Sequence, residues 1–136
     1  MGTAWPPMNE LQRSRLMQAK DALDEAKALL TAGMDIGSVL NNVFLAFYHP
    51  VVALVHGGRV PDVMQRVTIG LFDQRFVRTG AISPDFLVAL RRAFELKPRC
   101  GAGSPAAGGG EIEGLMEQAA LFIAAAGAVA AQQQER

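Results

Sequence analysis

Apolar residues recur at spacings of three and four along most of the chain, which is the period of one face of an α-helix. The first such stretch begins at Asn9 and ends at Gly33, a residue suited to the left-handed cap of a helix. Its apolar positions are Leu16, Ala19, Leu23, Ala26 and Leu30. No stretch alternates apolar and polar residues over the length of a strand, so the pattern predicts an all-α protein.

The second predicted helix runs from a cap at Asp35 to the pair Gly57 and Gly58 and has almost no polar face. We expect such a helix to be buried on most of its sides, partly by the other helices of its own bundle and partly by a second subunit. We therefore predict a homodimer. Its candidate interface residues are Phe44, Phe47, Tyr48 and Val51.

Two further helices meet at a short hinge, where Gly80 can end the third helix in the left-handed conformation. Ser83 is an N-cap for the fourth helix, and Pro84 suits its first turn. The fourth helix stops at Pro98, and a fifth starts at Glu111. The predicted fold is an up-and-down bundle of four long helices plus a fifth.

Composition sets the boundaries of this bundle. Residues 1–8 form a predicted disordered lead, and residues 98–110, with the run CGAGSPAAGGG, form a predicted flexible loop because small residues cannot bury enough surface to order themselves. Residues 132–136 are a predicted tail. The chain therefore reads as one domain over residues 9–131.

The chain carries 13 basic and 13 acidic residues, but their distribution is uneven. Between Arg59 and Arg99 there are eight basic and four acidic residues, so this segment has a net charge of +4. A cationic face attracts anions, and a solvated basic helix face is the alternative interpretation. The candidate anion-binding or nucleotide-binding residues are Arg91, Arg92, Lys97 and Arg99.

Cys100 is the only cysteine, which fits a reducing cytoplasm, and the N-terminal residues do not resemble a secretory leader. The longest uncharged apolar run, Ala119 to Ala131, has 13 residues and falls short of the ~20 that span a bilayer. We therefore predict a cytoplasmic protein without a membrane span.

The two histidines, His49 and His56, lie two turns apart on one helix and face the same side. Neither has a carboxylate or cysteine three or four residues later to complete a metal site. The glycine-rich run lacks the lysine and hydroxyl ending of a phosphate-binding loop. We predict no metal, no cofactor and no catalytic residue.

Three segments resemble the HEPN domain family, in the short prokaryotic form encoded beside minimal nucleotidyltransferases. They are AKDALDEAKALLTAG, VFLAFYHPVVALV and LFDQRFVRTGAISPDFLVALRRAFELK, within a resemblance that spans about residues 11 to 130. The resemblance implies a dimer whose cleft holds the charged residues, here Arg92, Lys97 and Arg99. It also implies a nucleotidyltransferase partner in a toxin–antitoxin-type system.

The chain departs from that family at the residues that cut RNA. Ribonuclease members carry an arginine followed four to six residues later by a histidine, and no such pair occurs here. Gln65 stands where this subfamily often has a histidine, and Cys100 follows where it has an Ala-Asp-Tyr-like segment. The resemblance is therefore to a member that is degenerate for the ribonuclease motif.

These observations predict a non-catalytic dimeric interaction module that binds a nucleotidyltransferase partner, a nucleotide-like anion or RNA. The alternative is a metal-independent ribonuclease toxin with an unrecognised site, in which Lys97 and Arg99 would stabilise the phosphate charge. A third interpretation is a structural remnant with neither partner nor activity.

Overall fold

A computed structural model describes residues 8–98 and 107–134, and within these ranges the protein is all-helical, without strands. Its five helices are α1 (Glu10–Thr31), α2 (Ile36–Val55), α3 (Gln65–Phe72), α4 (Pro84–Leu96) and α5 (Gly109–Gln134). A π-helical segment, Asp73–Val77, continues α3. The predicted all-α class is confirmed.

The helix ends follow the predicted capping chemistry. Asn9 and Gln12 form a reciprocal capping box at α1, with the Asn9 side chain 2.7 Å from the Gln12 nitrogen. The side chain of Asp35 caps α2, and that of Ser83 caps α4 by accepting from the Asp85 nitrogen. Positive φ angles at Gly33 (69°) and Gly80 (83°) end the helices that precede them.

The third helix is shorter than predicted. It has 8 residues before the backbone widens into the π-helical segment, whereas α1, α2 and α5 have 22, 20 and 26 residues. Phe72 and Phe76 both remain in the core and stack with ring centroids 6.0 Å apart. Because the wider turn keeps both rings on the core side, hydrophobic spacing could not reveal the change of pitch.

The predicted boundaries shift by a few residues. Met8, predicted in the disordered lead, is buried, while residues 1–7 lie outside the described ranges. Of the predicted loop, residues 99–106 also lie outside them, and α5 already includes Gly109 and Gly110. Helix α5 continues to Gln134, into the residues predicted as a tail.

Helix α2 lies at the centre of the protein, where it packs against α1, α3, α4 and α5. Of its 20 residues, 12 are buried. The four predicted interface residues belong to this core, with exposed fractions of 1% for Phe44, 0% for Phe47, 7% for Tyr48 and 0% for Val51. The other helices of the same chain cover the apolar face of α2 that was predicted to contact a second subunit, so these side chains do not lie at the surface.

Phe122 of α5 joins the aromatic part of the core. Its ring lies 6.0 Å from that of Phe47, 5.6 Å from that of Phe72 and 5.3 Å from that of Phe86, measured between centroids. One fully buried ring thus contacts residues of α2, α3 and α4.

Helices α2 and α5 are each long and apolar enough to cross a membrane by length and composition alone. In the described fold 67% of the apolar window in α2 and 50% of that in α5 are buried by other helices. Because a central core helix has the same composition as a membrane span, these two helices are weak evidence for one.

Gly58, just after α2, lies against the backbone of α1. Its φ angle is 90°, and a Cβ atom there would lie 2.7 Å from the Gln12 nitrogen and against the Leu11 carbonyl group. We expect Gly58→Ala to lower the free energy of unfolding by about 3 kcal/mol, because both the backbone angle and the overlap oppose it. Chemical denaturation measures this change.

Gly80→Ala is the matched control. The φ angle of Gly80 is 83°, but a Cβ atom there meets nothing within 4 Å. Only the left-handed backbone is then penalised, and the expected cost is about 1 kcal/mol. Equal losses in the two variants would contradict the close approach at Gly58.

Candidate functional site

Of the predicted anion-binding residues, Arg91 and Arg92 lie on α4 and Lys97 caps its end, and each of the three already has a partner within the chain. Arg92 donates a bidentate pair of hydrogen bonds to Glu111, with Nε 2.6 Å from Oε2 and Nη2 3.1 Å from Oε1. Its Nη1 lies 3.3 Å from an oxygen of Glu95. The guanidinium is thus shared between two carboxylates and connects α4 to the start of α5.

The same contact shifts both ionisation equilibria. The hydrogen bonds that Arg92 donates to Glu111, ahead of the charge of that carboxylate, raise the pKa of Arg92 above its usual value. In return, Arg92 lowers the pKa of Glu111. Both side chains are solvated, so the pair fixes geometry more than it adds stability.

Arg91 is bound less tightly. Its Nη2 lies 3.5 Å from an oxygen of Asp73, which also lies 3.4 Å from Nη2 of Arg78. The Arg91 side chain is 55% exposed, whereas that of Asp73 is 13% exposed. One carboxylate therefore faces two guanidinium groups and leaves a local excess of positive charge.

Lys97 lies over aromatic rings. Its ammonium nitrogen is 5.5 Å from the centroid of Phe44 and 5.2 Å from that of Phe94. The guanidinium carbon of Arg66 lies 5.8 Å from the same Phe94 ring. Arg99, the fourth predicted residue, lies outside the described residues.

A shallow groove between α3 and α4 brings part of this set together. Its lining residues are Arg66, Ile69, Gly70, Arg91, Phe94 and Glu95. Arg66 was not among the predicted anion-binding residues because it belongs to another helix, 25 residues before Arg91. The only sequence feature that pointed to Arg66 was the excess of positive charge between Arg59 and Arg99.

The two histidines have separate partners. His49 Nδ1 lies 3.1 Å from Nη1 of Arg15, and His56 Nε2 lies 2.9 Å from the hydroxyl of Thr68. Burial, and then the charge of Arg15, lowers the pKa of His49 to about 4. Among the described residues no three His, Cys, Asp or Glu side chains are grouped closely enough to hold a metal ion.

Arg15 and His49 form an arginine–histidine pair that sequence spacing could not show. The imidazole is neutral at pH 7 because its pKa is about 4, so it cannot donate a proton to a leaving group there. Arg15 also donates from Nε to the carbonyl oxygen of Gly58, at 3.1 Å. The pair joins α1, α2 and the following turn, which is a structural role.

A second surface lies between α1 and α5, which run antiparallel. Two adjoining depressions that share Lys27 and Ala120 form one groove. Leu23 and Met116 lie in its floor, and Leu121 stands at its rim with 58% of its surface exposed. The groove is thus open and partly apolar.

Charged side chains flank this groove. Lys27 of α1 lies opposite Glu113 and Glu117 of α5. Within the described part of the chain none of these three side chains takes part in an ion pair or a hydrogen bond. They differ in this respect from Arg92, whose charge is shared with two carboxylates.

No protein-family model matches the chain, and neither a curated protein nor a solved structure matches it significantly.

The burial of His49, together with the charge of Arg15 beside it, makes stability depend on pH. The unfolded chain binds a proton on His49 below about pH 6.5, whereas the folded chain does so only near pH 4, so stability falls as the pH drops through this window. The full difference corresponds to about 3 kcal/mol. Solvent screening of the partly buried ring reduces it to about 1–2 kcal/mol.

Denaturant unfolding measured between pH 7 and pH 4 tests this expectation. His49→Gln should flatten the fall in that window because the substituted side chain does not titrate. His56→Gln, which changes the other histidine of α2 and its bond to Thr68, should leave the slope in place. A parent profile without a slope would contradict the assignment.

Proposed function

We propose that this chain is a non-catalytic, HEPN-like helical bundle that acts as a homodimeric interaction module in the cytoplasm. The observation that carries the proposal is the open α1–α5 groove, which exposes Leu121 among unpaired charges on the side of the protein built from its first and last helices. An exposed apolar surface with a charged rim is typical of a protein interface.

The order and capping of the helices support the HEPN-like part of the proposal. Helix α4 begins at Pro84 after the Ser83 cap, and its apolar side faces the core, as the resemblance requires of LFDQRFVRTGAISPDFLVALRRAFELK. In this proposal α1, α2, α4 and α5 form the bundle, and α3 with its π-helical segment connects two of them.

The environment of the cations supports a non-catalytic role. Arg92 is held by two carboxylates, and both histidines are bound by groups of other elements. Metal-independent RNA cleavage needs a group that moves protons near neutral pH beside a cation that holds the phosphate. The pKa of about 4 makes His49 unsuited to the first of these tasks.

The proposed binding surface for a partner or an anion is the α3–α4 groove. Arg66 and Arg91 line this groove, and Arg66 and Lys97 lie over the ring of Phe94. With Glu95 as the acid in the lining, positive charge exceeds negative charge there. We assign to this surface the nucleotidyltransferase partner or nucleotide-like anion that the resemblance implies. We exclude Arg92 from the proposed anion-binding residues because its guanidinium group already donates hydrogen bonds to Glu111 and Glu95.

Sedimentation equilibrium at tens of micromolar tests the proposed dimer. We expect a particle of twice the 14.5 kDa chain mass, because the α1–α5 groove leaves apolar surface and unpaired charge that a second chain can cover. A single species at the chain mass over the whole concentration range would contradict the dimeric function.

Incubation with a mixed RNA pool in excess chelator tests the absence of catalysis. We expect no cleavage by the parent protein, because within residues 8–98 and 107–134 the two histidines are bound to Arg15 and Thr68 and not to the α4 cations. Cleavage that Arg91→Ala/Lys97→Ala abolishes, and Arg75→Ala preserves, would establish the ribonuclease alternative instead.

A further inference from the structure

The charges on the α1–α5 groove are divided between its two helices. The exposed groove side of α5 carries Glu113 and Glu117 and no basic residue. The groove side of α1 carries Lys20 and Lys27 with one acid, Asp24. One wall of the groove is therefore acidic and the other is net basic.

This division distinguishes between the ways in which two copies can meet. Pairing α5 with α5 would bring two acidic walls together, whereas pairing α5 with α1 of the other copy sets acids against lysines. Along the antiparallel helices, Glu113 and Glu117 are level with Lys27, and Ala124 is level with Lys20. A twofold axis parallel to the helices would preserve these levels, so that Glu113 and Glu117 of each copy would face Lys27 of the other.

The shape of the wall suits the same arrangement. Ala120 and Ala124 lie exposed one turn apart on α5, so another helix can approach closely there. Leu121 projects beside them. In a symmetric pair the Leu121 side chain of each copy would be covered by the groove of the other.

An exposed apolar patch between α2 and α3 does not suit a symmetric pair. Val60 is 84% exposed and Met64 is 72% exposed, in the connection between α2 and α3. Arg59 and Arg66 flank this patch and Asp62 lies within it, so the patch has a net positive charge and a twofold axis through it would bring two positively charged surfaces together.

We infer that the occupant of the α1–α5 groove is a second copy of this chain, with α5 of each copy lying across α1 of the other and Glu117 facing Lys27 of the partner. The inference rests on the proposed dimeric function and names its interface. It replaces the candidate interface on α2, whose residues are buried within one chain.

A charge exchange between two variants tests this geometry. In Lys27→Glu, both symmetric contacts pair acid with acid, and in Glu117→Lys both pair base with base. We expect each variant alone to dimerise about 10-fold to 100-fold more weakly than the parent. In an equimolar mixture one contact is the native pair and the other is its reverse, so dimers should form again.

The mixture separates the interface from effects within one chain. Lys27 and Glu117 also face each other across the groove of a single copy, but mixing two proteins cannot repair an intramolecular contact. Sedimentation velocity with a solubility tag on one variant resolves the mixed dimer by mass. Thermal unfolding by circular dichroism confirms that both variants, altered at exposed positions, are folded.

The control is Val88→Glu, which adds an acid at a 68% exposed apolar position on α4 and should leave dimerisation unchanged. If Lys27→Glu dimerises as strongly as the parent, or if the mixture stays monomeric, the inferred interface is overturned. The proposed dimeric function still stands in that case, provided that the parent protein is a dimer. A monomeric parent would instead remove the proposed function and this inference together.

Discussion

The burial of α2 is the constraint on which the rest of the structure depends. A helix with so little polar surface is stable in water only if other elements cover it on several sides, and here α1, α3, α4 and α5 do so. Each of these helices presents its apolar side to α2 or to the Phe122 ring beside it. Their opposite sides face solvent, and both grooves lie between these helices.

Covering α2 also buries its last turn, where carbonyl groups lack partners within the helix. Gln12 of α1 donates to the carbonyl oxygen of Ala53 at 3.1 Å and to the side-chain oxygen of Gln133 at 2.8 Å. Gln133 of α5 in turn donates to the carbonyl oxygen of Leu54 at 3.3 Å. Two glutamines from opposite ends of the chain therefore cap one helix and explain why Gln12, at 2% exposure, can be buried.

The sequence predicted those features that depend on neighbouring residues. Helix periodicity located the helical stretches, and the Asp35, Ser83, Gly33 and Gly80 signals marked their ends, because caps act over three or four residues. It did not reveal the π-helical segment, since a wider turn at Asp73–Val77 preserves the apolar side.

The site was predictable only in part, because its partners are distant along the chain. The contacts of Arg92 with Glu111, of Arg66 with Phe94 and of Arg15 with His49 join separate helices. Composition could identify an excess of charge but not which charges were already neutralised. The apolar composition of α2 was read as surface for a partner because sequence cannot tell a central helix from an outer one.

The Arg92–Glu111 contact has a consequence for chain connectivity. It joins the last turns of α4 to the first turn of α5, so the two ends of the intervening segment are held together by side chains as well as by the backbone. Helix α5 also packs directly on α1, α2 and α4. The contacts of α5 therefore fix its position independently of the segment that precedes it, and a circularly permuted chain with new termini between Pro98 and Ala107 would place α5 first in the sequence without changing its packing.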